Sequence, residues 1–303
     1  MKVVLCICTY RRPDGLLRLL KSLPSLQHSA NLSVVISDNH ADQEGLAAAR
    51  SLPPDYPLNL HCVSELNAGI SAARNSAASA ALELQPELVA FLDDDEWPET
   101  QWLAELMRIQ SEQDADAVGG PTLPEFPPEA PRHLLNNKYY GASLNLPDGS
   151  LCQLEAGGNF LIRASVLQTY SPTFFHPSFA HSGGEDLAFF KQLSQDRHTM
   201  AWAANAIVHE PVSESRLADG WLKERIINIH NSRVRVMQML EPGIVQKCVR
   251  GTKTIGLGAV ATLLSGVSLL IPSYRESARM MRWKFRGKLS AHLGRSIVRG
   301  ETY

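Results

Sequence analysis

The first hundred residues alternate short apolar runs with helical stretches, and this alternation restricts the chain to a small set of folds. The apolar runs lie at residues 3–9, 32–37, 58–63 and 88–92. Leucines at helical spacing follow the first run, and an alanine-rich stretch at residues 70–84 precedes the fourth. Because strands that alternate with helices are typical of βαβ units, we predict an α/β fold with a doubly wound, mostly parallel sheet flanked by helices.

The remainder of the chain has three parts: an irregular segment, a second segment of predicted strands and helices, and a helical C-terminal region. Six prolines between Pro121 and Pro147 indicate an irregular excursion over one face of the domain. We predict a strand from Gly157, a helix at residues 185–193 and a continuous strand at residues 200–209. Beyond Pro211 the apolar positions keep helical spacing. We therefore predict a sheet domain at residues 1–212 and a helical extension at residues 213–303.

The fourth apolar run ends abruptly in four acids, in the segment ELVAFLDDDE. Ligands of open α/β sheets bind at the carboxyl ends of the strands, where these acids are expected. Adjacent carboxylates repel one another unless a cation relieves them, and an all-oxygen set suits Mg²⁺ or Mn²⁺ that also holds phosphate oxygens. The alternative is a solvated acidic turn. A long apolar strand that runs directly into the acids favours the ligand site.

Polar residues also follow the first two strands, in the segments CTYRR at residues 8–12 and SDNH at residues 37–40. In a parallel sheet these ends meet at one rim, where hydroxyl, carboxylate and amide groups can bind a base and a ribose. A third segment, NAGISAARN, places Arg74 early in a helix, where its guanidinium can meet ligand oxygens. Alone, Asp38 and Asn39 would fit an ordinary turn, and Arg74 would fit a solvent-facing helix.

Taken together and in order, the motifs CTYRRP, SDN, NAGISAARN, FLDDDE, GGNFLIR and GGED resemble the inverting glycosyltransferases of family 2. The resemblance covers roughly residues 1–210 and implies the GT-A nucleotide-sugar fold, with residues 1–212 as the catalytic domain. It further implies transfer of a sugar from a nucleotide-sugar donor, a UDP-sugar by family precedent, to an acceptor hydroxyl. Mn²⁺ or Mg²⁺ would be the cofactor.

The resemblance assigns roles to individual residues of the donor site. Asp38 would contact the nucleobase, Asp93 would face the ribose and Asp95 would bind the metal as part of a DxD motif. The full set expected to bind the donor is Thr9, Tyr10, Arg11, Asp38, Asn67, Arg74, Asp93 and Asp94. Many relatives carry Asn at position 11 and Asp at position 96, where this chain has Arg11 and Glu96. Neither departure removes the metal ligands.

The GGED motif would supply the catalytic base. Inverting transfer needs a group that takes the proton from the acceptor hydroxyl, and a metal that stabilises the departing diphosphate. We predict Asp186 as the base and keep Glu185 as the alternative; a structural pair of acids at a helix start is the non-catalytic interpretation. By resemblance His209 would be a second metal or diphosphate contact, and a buried structural histidine is its alternative.

Two other functions use comparable features. A sugar nucleotidyltransferase would carry a glycine-rich loop after the first strand to hold a triphosphate, and CTYRRPDG is poor in glycine. A non-catalytic membrane scaffold of the same fold would be expected to lack the DxD acids or the ED pair, and both are present. Nucleic-acid binding is not expected, because the basic tail lacks interleaved aromatics apart from Trp283 and Phe285.

The helical extension contains an uncharged segment at residues 254–274, close to the roughly 20 residues that span a bilayer. Both of its flanks are basic, so the positive-inside rule favours an interfacial or re-entrant helix over a single span; a buried core helix is the alternative. The five cysteines show no CxxC pair and fit a reducing compartment. We therefore predict an enzyme on the cytoplasmic face of a membrane, with a glycan or lipid-linked acceptor.

Overall fold

The computed structural model describes residues 1–135 and 137–297 and begins with four parallel strands. These are β1 (Lys2–Thr9), β2 (Asn31–Asp38), β3 (Asn59–Ser64) and β4 (Leu88–Asp93), in the spatial order β3-β2-β1-β4. They are connected by helices α1 (Pro13–Ser22), α2 (Glu44–Arg50) and α3 (Ile70–Glu83). β1, β2 and β4 are almost entirely buried, as expected for parallel strands covered on both faces. The predicted βαβ start is confirmed.

The second half of the sheet is mixed. β4 pairs antiparallel with β8 (Asn159–Arg163), which pairs antiparallel with β6 (Ala117–Gly119), and β6 pairs parallel with β9 (Met200–Trp202). Helices α4 (Trp102–Glu112), α5 (Ala164–Gln168) and α6 (Glu185–Gln195) cover this half. The order of the described seven-stranded sheet is β3-β2-β1-β4-β8-β6-β9, so a predominantly parallel sheet flanked by helices is confirmed.

A small second sheet lies beside the carboxyl edge and corrects one prediction. It has the order β5-β10-β7, formed by β5 (Trp97–Pro98), β10 (Val208–Pro211) and β7 (Thr122–Glu125). The continuous strand predicted at residues 200–209 is wrong, because a turn after Ala203 separates β9 from β10 and sends them to different sheets. Asp148 accepts a hydrogen bond from the backbone N–H of Ala204 at 2.8 Å and helps to hold this turn.

Two apolar cores fill the space on either side of the main sheet, because successive strand residues point to opposite faces. Val3, Leu5 and Ile7 of β1 belong to the core under α1, α2 and α4. Val4 and Cys6 belong to the core under α3, α5 and α6. The predicted excursion at residues 121–150 is mostly irregular and wraps over this body, with β7 as its one named strand in the part that the structure describes.

Three long helices form the C-terminal part: α7 (Asp219–Leu240), α8 (Ile244–Leu270) and α9 (Arg275–His292). α9 packs against both α7 and α8. The contact with α7 is close, because a Cβ atom at Gly287 would lie 2.3 Å from the carbonyl oxygen of Ile227. α7 in turn packs on the sheet domain, where Val236 shares an apolar cluster with Phe179 and Leu187. The division at residue 212 stays a prediction.

α8 is an apolar helix with one face covered. Thr254, Ala261 and Ser268, spaced seven residues apart, are buried, while the opposite face is exposed. Within the described residues α8 is the single helix long and apolar enough to cross a membrane by length and composition, with a mean hydropathy of 1.5. Only 17% of its apolar window is buried. The core-helix alternative for residues 254–274 is therefore wrong.

Candidate active site

A cavity of about 350 Å³ opens at the carboxyl edge of the main sheet. Its size is within the range of pockets that bind small ligands. The predicted site residues that line it are Thr9, Tyr10, Arg11, Arg74, Asp93, Asp94, Asp95, Glu185 and Asp186. These residues come from the ends of β1 and β4, the first turns of α3 and the start of α6, so the fold gathers four separate motifs in one cavity.

Two of the four acids after β4 hold the turn in place. Asp94 is buried, accepts a hydrogen bond from Thr9 Oγ1 at 2.8 Å and pairs with Arg12 at 3.1 Å. Burial raises the pKa of Asp94 to about 7 despite the opposing effect of Arg12. Glu96 is also buried and accepts a hydrogen bond from the backbone N–H of Asp93 at 3.1 Å. Burial and the neighbouring Asp93 raise the pKa of Glu96 well above its ordinary value.

The other two acids are more accessible and face arginines. The side chains of Asp93 and Asp95 are 42% and 18% exposed, compared with 6% for Asp94. Asp93 Oδ1 lies 2.9 Å from Arg74 Nη2. Asp95 Oδ2 lies 2.9 Å from Arg12 Nη1 and 3.4 Å from Arg216 Nη2. Each of these two acids therefore has an arginine as its ion-pair partner at the cavity wall.

Asp95, predicted as the metal ligand, and Asp93, predicted to face the ribose, both present carboxylate oxygens of the kind that suit a divalent cation shared with substrate phosphates. No group of three or more His, Cys, Asp or Glu residues within 1–135 and 137–297 forms a complete metal cage. Mg²⁺ is commonly held by one or two carboxylates together with substrate phosphates, and Mn²⁺ also suits oxygen ligands. Gly158 keeps the space beside these acids open, since a Cβ atom there would lie 3.0 Å from Asp93 Oδ2 and 2.7 Å from Glu96 Oε1.

Across the cavity, the two acids of the GGED motif have different environments. Glu185 is buried and pairs with Arg74 at 3.0 Å, so Arg74 connects α6 to Asp93 of β4. Asp186 is half-buried and lines the cavity; its Oδ2 accepts a hydrogen bond from Gly157 N–H at 3.1 Å and its Oδ1 one from Leu187 N–H at 2.7 Å. Glu185 therefore stabilises the cavity wall through its buried ion pair with Arg74, whereas the carboxylate of Asp186 is accessible from the cavity.

Two glycines form the tight turn that immediately precedes α6. Gly183 and Gly184 have φ angles of 71° and 100°, in the left-handed region that favours glycine. A Cβ atom at Gly184 would lie 2.9 Å from Cβ of Ser232. The turn places Glu185 and Asp186 in the first turn of α6, where the helix dipole stabilises negative charge.

Asp38 and Asn67 do not line the cavity. Asp38 is fully buried, and its two oxygens accept hydrogen bonds from the backbone N–H groups of His40 at 3.0 Å and Leu46 at 3.1 Å. The adjacent Asn39 lines the cavity instead, with its Oδ1 accepting from the N–H of Gly69 at 2.8 Å. Asn67 is exposed outside the cavity, and its carbonyl oxygen accepts from Asn39 Nδ2 at 2.7 Å. A direct nucleobase contact for Asp38 has no support in this geometry.

His209 is not brought to the acids either. Its two ring nitrogens each lie 3.1 Å from a carboxylate oxygen, one of Glu99 and one of Glu125, and its ring stacks on Trp97 at 5.7 Å. Because side chains alternate along a strand, the next residue of β10, Glu210, lines the cavity instead. We therefore leave His209 out of the candidate metal site.

Arg216 is a cavity residue that the sequence did not reveal. It lies in a short 3₁₀ turn at residues 214–217 and reaches both Glu210 and Asp95. The hydroxyl of Tyr140 donates a hydrogen bond to the carbonyl oxygen of Arg216 at 2.7 Å, and Tyr140 stacks on Trp221 at 5.0 Å. These contacts join the irregular excursion to the C-terminal helices. No motif or spacing in the sequence could have indicated them.

A sheet rim that carries accessible acids, with an acid pair at a helix start across the cavity, is the arrangement expected of a GT-A nucleotide-sugar transferase. The chain belongs to glycosyl transferase family 2, whose model, "Glycosyl transferase family 2", matches residues 4–171. It is 30% identical over 292 residues to the succinoglycan biosynthesis protein ExoM of Rhizobium meliloti (strain 1021). That match covers 94% of this chain and 89% of the relative. The chain is therefore a glycosyltransferase, which sets aside the nucleotidyltransferase and scaffold alternatives.

Solved structures with low identity share the fold. The mannosyltransferase PcManGT from Pyrobaculum calidifontis, in complex with GDP-Man and Mn²⁺, has a TM-score of 0.67 at 16% identity, covering 97% of this chain and 88% of that chain. Residues 1–349 of S. aureus TarS, in complex with UDP-GlcNAc, have a TM-score of 0.54 at 14% identity, covering 97% of this chain and 93% of that chain. The predicted GT-A fold is confirmed.

Proposed function

We propose that the chain catalyses metal-dependent, inverting transfer of a sugar from a uridine diphosphate sugar to an acceptor hydroxyl. The observation that carries this proposal is the arrangement of one cavity. Asp93 and Asp95 are the accessible acids on the β4 side, and Asp186 faces the same space from α6. Arg74 connects the two sides through its ion pairs with Asp93 and Glu185.

In the proposed mechanism Asp186 takes the proton of the acceptor hydroxyl. The acceptor oxygen bonds to the anomeric carbon while the bond from that carbon to the diphosphate breaks, so the configuration inverts. The N–H groups of Gly157 and Leu187 hold the Asp186 carboxylate in position. Asp93 and Asp95 would hold Mn²⁺ or Mg²⁺, which when bound neutralises charge on the departing diphosphate.

The donor class is supported by the shared fold and by the cavity lining. The fold neighbours have been solved with GDP-Man and Mn²⁺ and with UDP-GlcNAc. In this chain Tyr10, Arg11 and Asn39 line the end of the cavity near β1 and β2, where a nucleoside would lie in an open α/β sheet. The ring of Tyr10 packs edge-on against the ring of His40 at 5.2 Å, and this contact holds the Tyr10 ring beside the proposed nucleoside position. Uridine is the base that family precedent favours.

The acceptor proposal rests on the C-terminal helices. The exposed fractions of Ile255, Leu263 and Leu269 on α8 are 73%, 69% and 81%, so this face requires an apolar environment. Basic residues lie within α8 and along α9, where they would be attracted to anionic lipid. We place the enzyme on the cytoplasmic face of a membrane with α8 in the interface. Its acceptor is then a glycan or a lipid-linked glycan, in keeping with a relative named for succinoglycan biosynthesis.

A panel of nucleotide sugars tests the transfer proposal. The full-length protein is incubated with each sugar, Mn²⁺ or Mg²⁺ and an extract of lipid-linked glycans, and released nucleoside diphosphate is measured. We expect release of uridine diphosphate from one or a few UDP-sugars, which stops when a chelator removes the metal. Release of pyrophosphate, or undiminished turnover in excess chelator, would overturn the proposal.

A further inference from the structure

A group of cationic side chains gathers between the irregular excursion and the C-terminal helices. It consists of Lys138 in the excursion and Lys284 and Lys288 on α9, and we call it the lysine cluster. Lys284 and Lys288 are four residues apart and therefore lie on the same face of α9. Lys138 lies 5.8 Å from the ring centre of Tyr139, whose hydroxyl is 3.3 Å from His230 Nε2 on α7.

The packing of α9 on α7 brings Lys284 and Lys288 toward His230, the same residue that Tyr139, next to Lys138, contacts. Gly287, between Lys284 and Lys288, touches α7 so closely that a Cβ atom there would lie 3.1 Å from Cβ of His230. The proximity has an electrostatic consequence: burial and then the charges of Lys138 and Lys288 lower the pKa of Lys284. Burial and then Lys288, Lys284, Arg233 and Lys138 lower the pKa of His230 to about 4. The cluster is thus a concentrated positive charge.

The lysine cluster forms no ion pair with an acid within residues 1–135 and 137–297. None of the three lysines has a salt bridge there, whereas the nearby Arg233 pairs with Glu155. Like charges held together without a counter-charge destabilise the folded chain, so the arrangement is typical of a site that binds an anion. Lys138 is exposed, and Lys284 and Lys288 are partly exposed, so an anion can reach them.

The position of the cluster selects the kind of anion. Gly141 and Ala142, a few residues after Lys138, line the cavity, as does Arg225 of α7. Ser232 of α7 donates a hydrogen bond to the carbonyl oxygen of Gly183 at 2.9 Å, directly before the acid pair of α6. On its other side α9 packs against α8, whose outer face is apolar and exposed. The cluster therefore lies between a segment that continues into the cavity lining and the helix pair that carries the exposed apolar face.

We propose that the lysine cluster binds the diphosphate of a lipid-linked acceptor. The inference rests on the proposed function, because it supplies the acceptor side of the same reaction. Two linked phosphates carry several charges in a small volume and match three converging ammonium groups, which act as point-charge donors to phosphate. With the diphosphate held here, the lipid chain extends along α8 into the membrane surface. The glycan extends toward Asp186.

Vesicle flotation with the full-length protein and no sugar donor tests the site. Three kinds of phosphatidylcholine vesicle are compared: without additive, with a long-chain alkyl diphosphate, and with phosphatidylglycerol at equal surface charge. The test variant is the double substitution Lys284→Gln and Lys288→Gln. The matched control is Arg282→Gln with Arg286→Gln, which has the same charge change and the same spacing on exposed positions of α9.

We expect the unchanged protein to bind the diphosphate vesicles more tightly than the phosphatidylglycerol vesicles. Each lysine at an anionic surface contributes about fivefold in affinity, so the lysine variant is expected to lose diphosphate binding by about 30-fold and to show no preference. The arginine variant is expected to keep the preference. Lys138→Gln is expected to weaken it by about fivefold. Circular dichroism confirms that the variants are folded.

Two outcomes would overturn the proposal. In the first, the unchanged protein binds the two anionic vesicles equally at equal charge, which would show that the surface responds only to charge density. Alternatively, the lysine and arginine variants lose the same affinity for every anionic vesicle, in which case the cluster has no special role. Since no donor is present, either result is independent of the transfer assay, and failure of transfer with intact diphosphate binding would reject the proposed function alone.

Discussion

Glu185→Gln and Asp186→Asn should separate a structural acid from the catalytic base, because these neighbouring residues have opposite environments. Glu185 is 3% exposed and its carboxylate pairs with Arg74, which is 5% exposed. Asp186 is half-buried, and its carboxylate accepts two backbone hydrogen bonds at the cavity wall. Both substitutions keep the shape of the side chain and remove its charge.

The expected magnitudes follow from these contacts. Removing one partner of a buried ion pair costs roughly 3–5 kcal/mol of unfolding free energy. Since Arg74 keeps Asp93 as a partner, we expect the lower limit, about 3 kcal/mol, for Glu185→Gln. Asp186→Asn can lose one hydrogen bond and should cost only about 1 kcal/mol. Its turnover should fall by on the order of 10² or more, because the acceptor proton has no base.

Urea unfolding and turnover at saturating donor, measured on both variants, test the assignment. We expect Glu185→Gln to lower the urea concentration at the unfolding midpoint strongly. At a temperature where this variant is folded, its turnover should stay within about tenfold of that of the unchanged enzyme. Asp186→Asn should leave the unfolding midpoint nearly unchanged, lower turnover strongly and retain donor affinity. If Glu185→Gln is stable but inactive while Asp186→Asn is active, Glu185 is the base. If Asp186→Asn instead loses donor affinity, Asp186 is a binding residue.

Three further predictions address the cavity, the C-terminal helices and the membrane. Gly158→Ala should reduce turnover in the transfer assay, because its Cβ would displace the carboxylates of Asp93 and Glu96; full activity would contradict the close packing. Between pH 6.5 and pH 4, His230 should contribute a loss of about 2–3 kcal/mol of unfolding free energy, because burial lowers its pKa to about 4 and the unfolded chain binds the proton first; urea titrations should show this as the difference between the unchanged protein and His230→Gln, and equal pH dependence of the two would contradict it. Leu263→Asp with Leu269→Asp should move the protein from the membrane to the soluble fraction, since charges on the exposed face of α8 oppose lipid contact; an unchanged membrane fraction would count against an interfacial α8.

Much of the first half of the fold could be predicted because its signals are local. Each parallel strand is an apolar run buried on both faces, and polar residues mark where it ends. The strand predicted at residues 200–209 failed because an apolar run does not show where a turn divides it. Ala203 and Asn205 carry that information only weakly, and the contact with Asp148 that helps to hold the turn is far away in the sequence.

Site residues could be predicted where they directly follow a strand that ends at the cavity. They could not be predicted where tertiary packing decides which way the side chain points. Asp93 and Asp95 follow directly from the end of β4. Asp38 also ends a strand, yet its carboxylate turns inward to the backbone of α2, and Asn39 lines the cavity. Arg216 enters from a turn that is 121 residues after Asp95, so no local pattern could pair them.

The central claim is that accessible acids at the end of β4 bind the donor diphosphate through a divalent cation, and calorimetric binding of uridine diphosphate tests it most directly. Titrations with and without Mn²⁺ are compared for the unchanged protein, Asp95→Ala and the control Asp114→Ala, an acid whose side chain is 95% exposed. We predict that Mn²⁺ strengthens binding in the unchanged protein and in Asp114→Ala, and that Asp95→Ala loses this strengthening. Equal binding with and without Mn²⁺ in the unchanged protein, or full metal-dependent binding in Asp95→Ala, would contradict the account.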